Sequence, residues 1–206
     1  MRRELHVRFW EGPGVRSPRA TRLVVMCATR SACEQAEKRV RDVLARLGLE
    51  LHPEKTRRVD LSWGKEGFDF LGCHLRKRLS GSIWERSRKR VYFLQRWPSQ
   101  RSMKRVRQRV KGLTGRNRNG VKDVRVLIRD LNPVLRGWGN YFRTGNAAAK
   151  FNQVDNYVRE RLRGFLVKRK GRNLRAGEAE GWTFDFFVEG HGLHRLRGTV
   201  QYPGAA

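Results

Sequence analysis

At 206 residues, the chain is long enough for one domain of usual size or two small ones. Lys and Arg number 47 against 19 Asp and Glu, a net charge of +28; such self-repulsion is best tolerated when a polyanion neutralises it, so RNA or DNA is the expected partner. Six Trp, ten Phe and four Tyr argue against disorder, and the odd set Cys27, Cys33 and Cys73, with no C-x-x-C pair, supports neither a disulfide framework nor a zinc ribbon.

Met1 to Trp10 carries charge but no apolar run of signal-peptide length. The basic residues are spread along the chain rather than gathered beside an apolar anchor, so no membrane partner is expected and a cytoplasmic location fits. Residues 1–22 interleave arginines with Gly12-Pro13-Gly14 and Ser17-Pro18 and sustain no period; they read as an irregular basic arm. Leu23 to Ala28 is the longest apolar run, too short to span a membrane, and its valines predict a buried strand. Ser31 and Glu34 have the spacing of a capping box, and Ala36, Val40, Val43, Leu44 and Leu47 trace a helix face that Gly48 should end. Lys55 to Leu61 predicts a strand, residues 62–67 a turn, and Phe68 to Arg76 the returning strand of a hairpin. Ile83-Trp84 and Val91 to Leu94 are further short strand candidates. Trp97-Pro98-Ser99 marks a boundary, with Ser99 able to cap a helix that begins after it.

The remainder reads as helices. Met103, Val106, Val110 and Leu113 make a narrow apolar stripe, with Lys104, Arg105, Arg107, Arg109 and Lys111 crowding the other sides. A loop over 114–120 contains Arg116 and Arg118. A second helix runs from about Lys122 to Leu131, breaks at Asn132-Pro133, and continues to Phe142; Asn can cap and Pro suits the first helical position. A third places Phe151, Val154, Val158, Leu162, Phe165 and Leu166 on one face, with Arg159, Arg161, Arg163 and Lys168 to Lys170 opposite. The fold class is therefore α+β: a strand-helix-hairpin unit followed by a basic three-helix bundle. The expected divisions are the arm 1–22, a mixed unit with its connection 23–98, a helical domain 99–170, and a linker and tail 171–206.

Leu131 to Arg143 is the densest stretch. Leu131, Val134, Leu135, Trp138, Tyr141 and Phe142 share an apolar face, and Arg136, Asn140 and Arg143 fall outside it. Two readings stand: a core helix with snorkelling arginines, or a helix that also offers cations and amides to a nucleic acid. The basic helices carry the strongest functional signal, with Arg105, Arg109, Arg116, Arg118, Arg136, Asn140, Arg143, Lys150, Arg159 and Arg163 as RNA-contact candidates. Solvation alone does not account for so many cations against so few acids. The preference for Arg suits forked phosphate contacts and stacking on bases. His191 and His194 are three apart, but no Cys or carboxylate cluster joins them, so no metal site is expected. Gly137 and Gly139 lie within a helical pattern and lack the ending of a phosphate loop.

Four ordered stretches carry a resemblance: Leu23-Val-Val-Met-Cys-Ala-Thr-Arg, Gly48-Leu-Glu-Leu-His-Pro-Glu-Lys-Thr-Arg, Phe68-Asp-Phe-Leu-Gly-Cys, and Leu131-Asn-Pro-Val-Leu-Arg-Gly-Trp-Gly-Asn-Tyr-Phe-Arg. Together they resemble the C-terminal half of a bacterial group II intron reverse transcriptase/maturase. The first three are similar to late blocks of the polymerase palm, and the last to the thumb and maturase-specific X domain. The tail from His194 is also similar to the endings of such proteins. The resemblance implies a partial palm over the strand-helix-hairpin unit and a thumb/maturase bundle after it. It implies a contact with phosphate at Lys55, where the alternative is a solvated turn lysine. It implies a primer-gripping hairpin at Phe68, Phe70, Leu71 and Gly72, where Phe68 and Phe70 also read as cross-strand core packing.

In the family, Tyr-Ala-Asp-Asp precedes the strand equivalent to Leu23, and its aspartates hold the Mg²⁺ ions of nucleotide transfer. This chain has Arg19-Ala20-Thr21-Arg22 there, and Asp42, Asp60 and Asp69 are isolated. No catalytic residue, metal site or cofactor is therefore expected in this chain, although the parent family uses Mg²⁺. The loss of pattern before Leu23 points to a truncated or frameshifted copy. The resemblance implies a protein that binds group II intron RNA, other structured RNA or DNA, and assists intron folding and splicing without polymerase activity of its own. The alternatives are half of a reverse transcriptase, active only with the missing N-terminal part, and a non-specific basic RNA chaperone.

Overall fold

The computed structural model describes residues 6–11, 22–53, 56–115 and 120–201. It is an α+β protein, with the chain divided into two compact units. One comprises Met1–Phe68 and Leu75–Gln95, the other Asp69–His74 and Arg96–Ala206.

The first unit begins with β1 (His6–Glu11), which pairs antiparallel with both β2 (Arg22–Cys27) and β3 (Arg57–Asp60). The strand order is β2-β1-β3, with Phe9 opposite Val24 and Arg57. The irregular arm expected over 1–22 thus contains a strand. Pairing on both edges fixes its conformation, a tertiary effect that local composition does not carry. Between β2 and β3 runs α1 (Arg30–Arg46). Thr29 caps it by accepting the Ala32 N–H, where Ser31 and Glu34 had the spacing. Glu34 instead binds Arg30 and Arg58. At the other end Gly48 (φ 66°) donates to Ala45 O and Leu49 to Leu44 O, the paired bonds of a Schellman ending. The buried face of α1 is Cys33, Glu37 and Leu44; Val43 and Leu47, expected on it, are exposed. Glu37 is buried because Arg41 and Arg58 hold one carboxylate oxygen each, both at 2.7 Å.

The predicted strand Phe68 to Arg76 is two strands, β4 (Gly67–Phe70) and β5 (Cys73–Leu79). Leu71 (φ 47°) and Gly72 (φ 78°) join them, two left-handed residues as a tight hairpin turn requires. The strand candidate at Ile83-Trp84 lies inside α2 (Gly81–Ser87), which Ser80 caps through the Ile83 N–H. β6 (Tyr92–Pro98) completes a second sheet of order β4-β5-β6.

The second unit holds α3 (Gln100–Leu113), α4 (Val124–Phe142), α5 (Ala148–Lys170) and the short α6 (Phe184–His191). Ser99 caps α3 as its position predicts. Buried side chains of α3 (Met103, Val106, Val110) meet those of α4 (Leu127, Leu131, Leu135) and α5 (Phe151, Val158, Leu162) in one core. The predicted break at Asn132-Pro133 does not occur. α4 runs through Pro133, and Asn132 does not cap it. Its side chain reaches the tail instead, with Nδ2 donating to Gly192 O and Oδ1 accepting from His194 N, both at 2.8 Å.

The tail is a clasp over α4 and α5. Besides the Asn132 pair, Asp155 on α5 accepts the N–H of Leu196 (3.1 Å) and Arg197 (2.9 Å), and Gln201 N donates to Arg143 O. Leu196 is fully buried against α4, where a Cβ on Gly139 would come within 2.6 Å of its Cδ2. This close approach is why a glycine sits on the buried stripe. Burial raises the Asp155 carboxyl above its ordinary value, and the two backbone donors and then Arg195 and Arg197 pull it back.

Candidate nucleic-acid interface

The candidate cations of the helical unit form short rows along separate helices. Arg105 and Arg109 are one turn apart and exposed on α3. Arg136 and Asn140, exposed, and the half-buried Arg143 follow one another along α4. Arg159 and Arg163, both half-buried, lie along α5, and Lys150 is in its first turn. Arg159 is tied to the neighbouring Glu160 at 2.8 Å. Among the described residues, the side chains of Arg105, Arg109, Arg136, Arg143, Lys150 and Arg163 carry no hydrogen bond or ion pair. Lys55, Arg116 and Arg118 lie outside the described residues.

Apolar residues of the Leu131–Arg143 stretch divide in two. Leu131, Leu135 and Phe142 are buried, Trp138 packs at a tilt against both Phe142 and Phe151, and Val134 is half-buried. Tyr141 is 56% exposed, and its hydroxyl donates to Leu71 O at 2.7 Å. The hairpin tip Leu71-Gly72 is held from three sides within this unit, because Gly72 O also accepts from Ser99 N (2.9 Å) and Ser102 Oγ (2.7 Å). A side chain at Gly72 would meet Ser102 Oγ at 2.8 Å. Phe70 is half-buried and Leu71 exposed, while Phe68 is buried within the first unit.

Beyond these rows, the C-terminal halves of α3 and α5 enclose a groove of about 1000 Å³. Among the described residues its cations are Lys111, Arg161, Lys168 and Arg169, none of them among the candidates drawn from the sequence. Arg161 is fixed: Nε donates to Thr114 Oγ1 and Nη2 to Thr114 O, both at 2.9 Å. Arg169 Nη1 donates to Val121 O at 3.2 Å. Thr114 is itself buried, its hydroxyl donating to Val110 O. Alternation of charge along α5 gives no sign of which arginines are anchored, because the anchors are carbonyls 47 and 48 residues away. Asp155 was legible in principle: it stands in line with Phe151, Val158 and Leu162, and a carboxylate on an apolar stripe signals a buried acceptor.

A smaller hollow of about 540 Å³ lies beside the clasp, between Asn152, Arg159, Phe184 and Arg197. Burial, and after it the charge of Arg136, lowers the His194 imidazole below its ordinary value. Among the described residues, no group of three or more His, Cys, Asp or Glu side chains could hold a metal ion. Among the same residues, no helix is long and apolar enough to cross a membrane.

Fold and surface together define a basic α+β protein whose helical unit presents unpaired cations. Residues 103–180 match the family model of the group II intron maturase-specific domain. The matched stretch takes in most of α3 and all of α4 and α5. The resemblance to a maturase C-terminal region therefore holds over this part of the chain. No curated protein matches the chain.

Proposed function

We propose that the protein binds group II intron RNA, or other structured RNA, through α3, α4 and α5, and assists intron folding and splicing. One observation carries the reading: the maturase-matched segment bears cations on three helices that, among the described residues, have no acid partner. Unpaired guanidinium and ammonium groups on rigid helices contribute counterion release when phosphates approach. The helices need no rearrangement to present them, because their apolar faces are already buried in one core. The chain's part in splicing is to hold folded RNA, the RNA supplying its own chemistry. Polymerase activity is not part of this reading, because Arg19-Ala20-Thr21-Arg22, directly ahead of Leu23, offers no carboxylate.

Binding of a group II intron RNA across a salt series tests this. The log–log slope should be steep, with each neutralised phosphate contributing about 0.7 to 0.9. A flat series would remove the basis of the reading. Competition by an unrelated structured RNA separates maturase from chaperone: equal competition favours the chaperone. Primer extension with Mg²⁺ by the chain alone should give no incorporation.

A further inference from the structure

We infer that the groove between α3 and α5 is a seat for an unpaired RNA segment. The inference rests on the RNA-binding reading above and locates a site within it. Its walls are open because two helix positions carry glycine. A Cβ at Gly112 on α3 or at Gly164 on α5 would meet nothing within 4 Å. Neither glycine is required by backbone geometry, since both lie within helices and neither has a positive φ. Glycine inside a helix costs about 1 kcal/mol relative to alanine, so the pair opens the groove at the expense of both helices. Cations line the space: Arg161 and Arg169 are held by the carbonyls of Thr114 and Val121, leaving other guanidinium donors uncommitted, and Lys111 and Lys168 complete the set. The carboxylate at the groove, Glu160, is engaged by Arg159 at 2.8 Å. Phe165, half-buried against the core, adds an aromatic surface.

An anion held by fixed guanidiniums beside an aromatic ring matches a nucleotide whose base is free to stack. A duplex keeps its bases stacked within itself and presents a convex phosphate wall, which cannot reach Phe165 in a concave groove. The occupant is therefore single-stranded: one base against Phe165 and Gly164, with flanking phosphates on Arg161, Arg169, Lys111 and Lys168. Anchored arginines lose little side-chain freedom on binding, so the seat is preorganised.

The test uses the full chain, a labelled oligouridine strand and a blunt RNA duplex of equal length, read by anisotropy. Gly164→Leu and Gly112→Leu fill the groove without altering charge, and helical content and melting report that each variant folds. Each should weaken the single strand about tenfold, the scale of one lost stacking contact, and leave the duplex unchanged. The double variant Lys111→Met/Lys168→Met should lower the single-strand salt slope by about 1.4, since each phosphate on a single strand contributes about 0.7. If both RNAs bind but the leucine variants leave the single strand unaffected, or weaken both RNAs alike, the seat is wrong and the general RNA-binding reading survives. If the unaltered protein binds neither RNA at low salt, both fall.

Discussion

Phe151, Leu135 and Leu196 of the helical unit have no exposed surface, whereas Met26 and Leu47 of the sheet unit are 61% and 66% exposed. The polar contacts differ in the same sense. The helical unit uses side chains to satisfy backbone groups far away in sequence: Asn132 and Asp155 bind the tail, and Arg161 donates to the Thr114 carbonyl. The sheet unit relies on a charge network, Glu34 and Glu37 with Arg30, Arg41 and Arg58, much of it open to water. Buried apolar area and bonds to otherwise orphaned backbone groups contribute more than exposed ion pairs do. The maturase-matched segment thus lies in the more firmly built unit, and the sheet unit should open first in native-state hydrogen exchange.

The largest effect should come from the helical core. Phe151→Ala removes a fully buried ring and should cost about 3–5 kcal/mol in denaturant unfolding. Met26→Ala in the sheet unit should stay within about 0.5 kcal/mol. Similar costs for the two would erase the contrast.

Next comes the clasp. Asp155→Ala strands the N–H groups of Leu196 and Arg197 and should cost about 2 kcal/mol or more. Hydrogen exchange at those two amides should rise while amides of β3 keep their rates. Because burial raises the Asp155 carboxyl, its neutral form is favoured in the folded chain. The proton-linked part of its stability is full below the ordinary carboxylate value and is lost as pH rises through the folded one, while the two N–H groups remain bonded in the charged form. Asp155→Asn should remove that slope from the stability profile.

Arg58→Ala breaks two ion pairs but leaves Glu37 with Arg41, so about 1 kcal/mol is expected, smaller in high salt. A larger loss in thermal unfolding, insensitive to salt, would mean that the sheet unit depends on a buried charge as the helical unit depends on Asp155.

Sequence periodicity revealed α3, α4 and α5 because each buries one apolar stripe, and that signal is local. It revealed Ser99 and Gly48 for the same reason, since caps act within a turn. It failed where partners are distant in the chain. β1 becomes a strand by pairing with β2 and β3, and Asn132 looks like a cap until the tail supplies Gly192 and His194. The site divides likewise. Cation-rich helix faces were legible from composition. The groove was not, because it depends on two glycines and two carbonyl anchors from separate elements.

The smallest effect is the most local probe of RNA contact. His194 lies in the clasp, and burial and Arg136 both lower its imidazole below the ordinary value. The neutral ring is favoured in the fold, so its contribution is present above the ordinary histidine value and is lost as pH falls through the folded one. Arg136→Gln removes the second cause and leaves the first, so the ring should titrate at a pH between those of the native protein and a free histidine. A phosphate on Arg136 would act in the same direction by neutralising the guanidinium. Titration of the His194 ring proton by NMR should therefore shift upward when saturating intron RNA is added to the native protein. The shift should shrink in Arg136→Gln. An unmoved titration in bound native protein would place the phosphates away from α4. Arg105 and Arg109, together with the α3–α5 groove, would then have to account for the salt slope.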